Sequence, residues 1–228
     1  FEETRDIVKS YINAKYREEI IFTKGATEAI NLVANTYGDK FIKAGDEIIV
    51  TELEHHSNYV PWHYLREKKG AVIKFASMND NGEIDVDEFK KHITEKTKII
   101  AFTHISNVTG TIMPVKKIID LAKSKNIPVL IDGTQGAPHS VLDVQDLECD
   151  FYAISCHKMY GPNGLGILYA KKKWADDLPP YQGGGGMINE VKKDEITYAD
   201  SPNKFEAGTM QTAEVVAFAK SIKFIQDF

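Results

Sequence analysis

Short apolar runs alternate with longer stretches whose apolar residues recur at helical spacing. Residues 20–22 (Ile20-Ile21-Phe22) predict a strand, and Gly25 then leads into a helix over 26–37. Residues 47–51 predict a second strand, followed by a helical pattern over 58–68. A strand over 71–75 precedes an Asn81-Gly82 turn and a helix near 86–93. A strand over 98–102 is followed by a helix near 115–124. Residues 128–132 and 151–155 predict two more strands, and 166–170 a further β partner. Val8, Tyr11 and Ile12 sit at helical spacing, so the chain opens as if within a helix. It has no initiator Met, and a piece of a longer protein is expected. Residues 178–203, with Pro179-Pro180, Gly183 to Gly186 and Pro202, form the longest irregular stretch, and such loops are often functional.

Strand–helix alternation predicts an α/β fold, a mostly parallel sheet with helices on both faces. The runs Ile99-Ile100-Ala101-Phe102 and Val129-Leu130-Ile131 are apolar at every position, as strands covered on both faces are. In such sheets ligands bind beyond the carboxyl ends of the strands. The residues just after each strand are therefore the candidates for chemistry.

Composition narrows the classes. At 43% hydrophobic and 27% charged residues over 228 positions, disordered and collagen-like readings drop out. Lys plus Arg total 28 and Asp plus Glu 33, and the net charge of −5 argues against a general nucleic-acid binder. Cys149 and Cys156 are the only cysteines, too few for a disulfide framework, so a reducing, cytoplasmic setting is expected. No apolar run approaches the ~18 residues of a membrane span. The polar opening Phe1-Glu2-Glu3-Thr4-Arg5 shows no signal peptide, and no membrane partner is expected.

Four strand ends carry candidate residues. Lys158 follows the strand over 151–155, where a desolvated amine becomes a nucleophile or Schiff-base former; a solvated surface lysine is the plain alternative. Asp132 ends an apolar strand and needs a cationic partner, unless it caps a helix. Gly25-Ala26-Thr27 joins a strand to a helix, so it is either an anion site or ordinary helix-start chemistry. His55 offers a flat ring to an aromatic ligand, a metal ligand or a cap. Metal is disfavoured, because the adjacent His55 and His56 diverge and no Cys/His ligand spacing follows. Gly183 to Gly186 lacks both the preceding strand and the Lys-Ser/Thr pair of a nucleotide loop. A lysine for a Schiff base, an aspartate for a protonated ring nitrogen and a helix N-terminus for a phosphate together fit pyridoxal 5′-phosphate (PLP).

The motifs extend this. They are Phe22-Thr23-Lys24-Gly25-Ala26-Thr27-Glu28-Ala29-Ile30-Asn31, Glu54-His55-His56-Ser57-Asn58, Pro61-Trp62 and His104-Ile105-Ser106-Asn107-Val108-Thr109-Gly110. Ile131-Asp132-Gly133-Thr134-Gln135, His157-Lys158-Met159-Tyr160-Gly161-Pro162 and Phe205-Glu206-Ala207-Gly208-Thr209 complete the set. In this order they closely resemble the PLP-binding large domain of class V aminotransferase-fold enzymes, and most of all SufS-like cysteine desulfurases, a group that includes selenocysteine lyases. The resemblance spans residues 1–228 as one large domain, with an N-terminal arm and a C-terminal small domain expected outside it.

The resemblance implies roles. Lys158 would form the Schiff base with PLP and shuttle the substrate α-proton. Asp132 would hold the pyridinium nitrogen, Gln135 the phenolic oxygen, and His55 would stack on the ring and move protons. Thr27, the Ala26 N–H, Ser155 and His157 would hold the phosphate, and Asn107 the substrate side. Thr209 would reach the phosphate of a partner subunit, which implies a homodimer. The implied reaction takes sulfur from L-cysteine, leaving L-alanine and an enzyme persulfide for an acceptor protein and iron–sulfur cluster assembly. In the family the nucleophilic cysteine and the arginine for the substrate carboxylate lie beyond the Phe-Glu-Ala-Gly-Thr motif, past position 228. This chain alone is therefore expected to be inactive in sulfur transfer, with Cys156 a small core side chain. A selenocysteine lyase, another class V enzyme or a non-catalytic PLP-binding scaffold are the alternatives.

Overall fold

A computed structural model describes residues 1–227. Helix α1 (Glu2–Tyr11) leads into strand β1 (Ile20–Thr23). Then follow α2 (Ala26–Phe41), β2 (Glu47–Thr51), α3 (Val60–Lys69), β3 (Val72–Ala76), α4 (Val86–His92), β4 (Thr97–Thr103), α5 (Val115–Ser124) and β5 (Val129–Asp132). Short helices α6 (Gly136–His139) and α7 (Val144–Leu147) precede β6 (Phe151–Ser155), β7 (Gly166–Ala170) and α8 (Lys172–Asp177). A hairpin of β8 (Ile188–Val191) and β9 (Ile196–Tyr198) comes before helix α9 (Thr212–Gln226).

Seven strands form one sheet in the order β1-β7-β6-β5-β4-β2-β3. The pairs β2·β3, β2·β4, β4·β5 and β5·β6 are parallel. Only β7 runs against the rest, between β1 and β6. The expected mostly parallel sheet is present. Successive side chains leave a strand on opposite faces, so each strand feeds two cores. Phe22, Ile100, Phe102 and Ile131 enter one, covered by α1, α4, α5 and α9 through Val8, Phe89, Ile118 and Phe218. Ile21, Ile99, Ala101 and Leu130 enter the other, covered by α2, α3 and α8 through Ile30, Trp62 and Ala175.

The elements differ from the sequence reading where caps and close contacts intervene. Helix α2 runs four residues past Tyr37 to Phe41, because Gly38 leaves room for Leu65 of α3. Strand β3 starts at Val72, since Gly70 closes α3 in the left-handed conformation and the Ala71 N–H donates to Leu65 O. Residues His56–Asn58 form a separate 3-10 turn ahead of α3, whose first turn holds Pro61. The stretch 178–203 contains the β8–β9 hairpin rather than loop throughout. Helices α8 and α9 are not among the predicted elements.

One turn is built for glycine. Gly25 adopts φ 156° and ψ 174°, a region other residues avoid. A Cβ on Gly166 of β7 would stand 2.4 Å from Gly25 Cα, so the turn opening α2 lies directly on β7. Backbone cannot yield there. Gly166→Ala is expected to destabilise the fold by about 1–3 kcal/mol. A lower urea midpoint with an unchanged m value would read this; an unchanged midpoint would mean the turn moves freely.

A buried ion pair fastens the chain's first helix to a distant loop. The Arg5 guanidinium, wholly buried, donates to Ile20 O at 2.6 Å and to Glu206 Oε1 and Oε2 at 2.7 and 2.9 Å. It also lies over the Phe22 ring, 4.6 Å from its centroid. Glu206 Oε1 accepts the Phe22 N–H at 2.8 Å as well. Burial holds the Glu206 carboxyl above its usual range even against the pull of Arg5.

Candidate active site

The chain leaves β2 toward β3 on one side and β4 toward β5 on the other. The loops after β2 and β4 therefore part and leave a crevice at the carboxyl edge of the sheet. A cavity of about 180 Å³ opens there. Nine of the ten expected site residues line it: Ala26, Thr27, His55, Asn107, Asp132, Gln135, Ser155, His157 and Lys158. Thr209 does not; it is exposed in a separate groove beside Thr23 and Lys24.

Each wall has its own local cause. Lys158 lies in a 3-10 turn (Cys156–Met159) that Tyr160 ends in the left-handed conformation. That turn is tied back by the Gly161 N–H to Cys156 O (3.0 Å). The Lys158 side chain is exposed to the cavity and makes no hydrogen bond or ion pair among the described residues. Asp132 ends β5, is 4% exposed, and accepts the Thr134 N–H at 3.0 Å. It makes no ion pair among the described residues, and burial pushes its carboxyl above the usual range. A cation or N–H donor brought to Asp132 would relieve that penalty.

Ser155 Oγ accepts the Ala26 N–H at 2.9 Å, joining β6 to the N-terminus of α2. That bond sets the Ala26 amide and the Ser155 hydroxyl side by side at the N-terminus of α2. Thr27 is exposed on the first turn of α2, where the helix dipole favours an anion. His55 is the N-cap of the His56–Asn58 turn: its Nδ1 accepts the Ser57 N–H at 3.1 Å, so the capping reading holds while the ring lines the cavity.

Ser57, Thr103, Ile105 and Thr134 also line the cavity and are not among the expected site residues. Glu54, beside His55, is a second omission. Its Oε1 accepts the Thr51 hydroxyl (2.5 Å) and the Thr103 N–H (2.9 Å), and its Oε2 accepts the Asn58 side-chain amide (2.6 Å). The only prior signal was its place in the Glu54-His55-His56-Ser57-Asn58 run. Burial pushes the Glu54 carboxyl up to about 8, against the lowering effect of those donors. The folded state then binds a proton the unfolded chain has lost between pH 4.5 and about 8, so stability falls as pH rises through that window. Urea midpoints across this range should decline in the parent and flatten in Glu54→Gln, whatever the absolute stability of the variant. Equal slopes would assign the decline to another group.

Cys149 and Cys156 are both free and buried, and burial raises both thiols well above the ordinary range. Neither presents a thiolate to the cavity. Among the described residues, no helix is long and apolar enough to cross a membrane.

Fold and cavity together define an α/β protein with a candidate ligand site at the switch point of a mostly parallel sheet, with an amine, a buried carboxyl and a helix N-terminus around it. The chain belongs to the aminotransferase class-V family, which it matches over residues 1–228. It is 48% identical over 227 residues to a probable cysteine desulfurase of Staphylococcus epidermidis, covering 100% of this chain and 55% of that protein. It is 47% identical to a cysteine desulfurase of Pectobacterium atrosepticum, covering 98% of this chain and 55% of that one. The crystal structure of the cysteine desulfurase CsdA from Escherichia coli superposes with a TM-score of 0.97 at 40% identity, covering 100% of this chain and 57% of CsdA. The chain thus spans about half the length of the curated relatives it matches.

Proposed function

We propose that the full-length protein is a PLP-dependent cysteine desulfurase that converts L-cysteine to L-alanine and an enzyme persulfide. The observation that carries this is the cavity itself, with Lys158, Asp132 and the N-terminus of α2 on three of its walls. The names of the relatives support the same reading. The residues fit PLP. Asp132, raised by burial and in no ion pair among the described residues, suits a protonated ring nitrogen. The Lys158 amine, without a hydrogen bond or ion pair among the described residues, suits an aldehyde carbon, and Thr27, Ser155 and His157, which together line an adjoining groove as well, suit a phosphate.

When bound, PLP supplies a carbonyl for an amine and a ring that accepts electrons. The chain's own residues do the rest. Lys158 Nζ would take the proton from the substrate Cα and return it on the product side. The Asp132 carboxylate would keep a proton on the ring nitrogen. Gln135 would donate its amide to the phenolic oxygen, and His55 would cover one ring face. Asn107 would bind the amino-acid end of the substrate. Cys149 and Cys156 are too deeply buried to attack the substrate sulfur, so a thiol elsewhere in the full-length protein takes that part. The chain bearing only these residues is then a PLP-binding large domain without sulfur transfer. Thr209, exposed outside its own cavity, supports a homodimer in which it reaches the partner's phosphate end. A cytoplasmic protein handing sulfur to an acceptor protein for iron–sulfur cluster assembly fits the same reading, as does a selenocysteine substrate.

The test is a visible spectrum with added PLP, then borohydride reduction and peptide mapping. The expected result is a reducible absorption band with the label on Lys158. Label on another lysine would overturn the assignment, and no band in the full-length protein would overturn the cofactor.

A further inference from the structure

Ser57 lines the cavity between Thr27 and His55. Its hydroxyl oxygen lies 2.7 Å from Thr27 Oγ1 and 3.0 Å from His55 Nδ1. Its backbone N–H donates to the same Nδ1 at 3.1 Å. The turn carrying these groups is anchored from below. Asn58 is fully buried, donates to Glu54 Oε2 at 2.6 Å and accepts the Trp62 indole N–H at 3.2 Å. Glu54 in turn takes the Thr103 N–H of β4. The contact between Ser57 and His55 is therefore set by β4 and α3 rather than by a free loop.

An imidazole nitrogen that accepts a hydrogen bond carries no proton of its own. A backbone N–H cannot turn into an acceptor. The neutral His55 ring must therefore hold its proton on Nε2, whichever way the Ser57 hydroxyl points. That hydroxyl adds a connection. Thr27 and Ser57 have one hydroxyl proton each. With no anion at Thr27, its proton can go to Ser57 Oγ and the Ser57 proton to His55 Nδ1. An anion that accepts a hydrogen bond from the Thr27 hydroxyl leaves Thr27 Oγ1 free to accept, and the Ser57 hydroxyl turns to donate to it. His55 Nδ1 then keeps only the backbone donor.

We propose that Ser57 is a positioning residue that holds the His55 imidazole as the Nε2–H tautomer and relays anion occupancy at Thr27 to Nδ1. This deepens the site reading above and rests on Thr27 belonging to an anion cradle. The ring edge facing away from Ser57 then donates a hydrogen bond and does not accept one.

The test is a two-bond ¹H–¹⁵N spectrum of the full-length protein, freed of PLP and labelled with ¹⁵N-histidine and ¹⁵N-threonine, in mildly alkaline buffer, with His55 assigned by its loss in His55→Gln. The expected spectrum has a pyridine-type Nδ1 and a pyrrole-type Nε2. Inorganic phosphate should shift the Nδ1 resonance toward that of a less hydrogen-bonded nitrogen, with binding followed at the Thr27 amide. Ser57→Ala should keep the tautomer and lose the phosphate response, and Ser57→Thr should restore it. A pyrrole-type Nδ1 would overturn the tautomer. A Thr27 amide that moves while Nδ1 stays silent, or a response that survives in Ser57→Ala, would overturn the relay alone. A Thr27 amide silent to phosphate would overturn the anion cradle and the relay with it.

Discussion

Lys158→Ala is expected to abolish the borohydride-reducible band and to lower desulfuration by the full-length protein at least about 10²–10⁴-fold, the range lost with a positioned proton-transfer group. Melting temperature should stay within the scatter of the parent. Lys158 is exposed to the cavity and touches no partner among the described residues, and such surface changes usually shift stability by less than about 0.5 kcal/mol. The 3-10 turn beneath it is held by backbone contacts, which alanine keeps. PLP would still find the phosphate end and Asp132, so a loosely held, non-reducible cofactor is the expected remnant. A reducible band in the variant would move the Schiff base to another lysine. Loss of folding would make Lys158 structural.

Glu206→Ala should be the most damaging change to stability. It removes both carboxylate oxygens from the wholly buried Arg5 guanidinium and the acceptor from the Phe22 N–H. Exposed Glu2, at 3.1 and 3.2 Å from Arg5, remains as a partial substitute. Stranding one member of a buried pair costs about 3–5 kcal/mol. For a protein of 150–250 residues that lowers the melting temperature by ~6–20 °C. The double variant Arg5→Met with Glu206→Leu should recover most of this, because apolar replacement of both members of a buried pair is often close to neutral. A loss below ~1 kcal/mol in Glu206→Ala would mean that water or Glu2 satisfies Arg5, and recovery in the double variant would then be absent.

The sheet was legible because its strands are apolar at every position, and the rule that ligands gather at strand ends led directly to Lys158, Asp132, Thr27 and His55. Helix α9 escaped because Val216 and Phe224 are exposed apolar residues on its outer side, which blur the Val215–Phe218–Ile222 stripe. Strand β3 was set one residue early because the left-handed Gly70 cap is a property of the folded helix end. Thr209 lies outside its own chain's cavity, in a groove beside Thr23 and Lys24, a position that depends on how the segment after β9 folds back on β1. Ser57 and Glu54 stood inside a motif already singled out, yet their partners come from other segments: Thr27 on α2 and Thr103 on β4. Such contacts exist only once the sheet has brought those segments together.

Arg5 and Glu206 are 201 residues apart. A ribosome adding about 5–20 residues per second completes Glu206 ~10–40 s after Arg5. Strand β1, braced by Arg5, pairs with β7, whose residues also come late. The segment carrying Arg5 and β1 therefore waits without its carboxylate partner or its neighbouring strand while the central strands are already available to pair. During synthesis the sheet closes last at the strand that was made first, and a polypeptide stalled before Glu206 presents that edge, with Arg5 lacking its Glu206 partner, to chaperones and proteases.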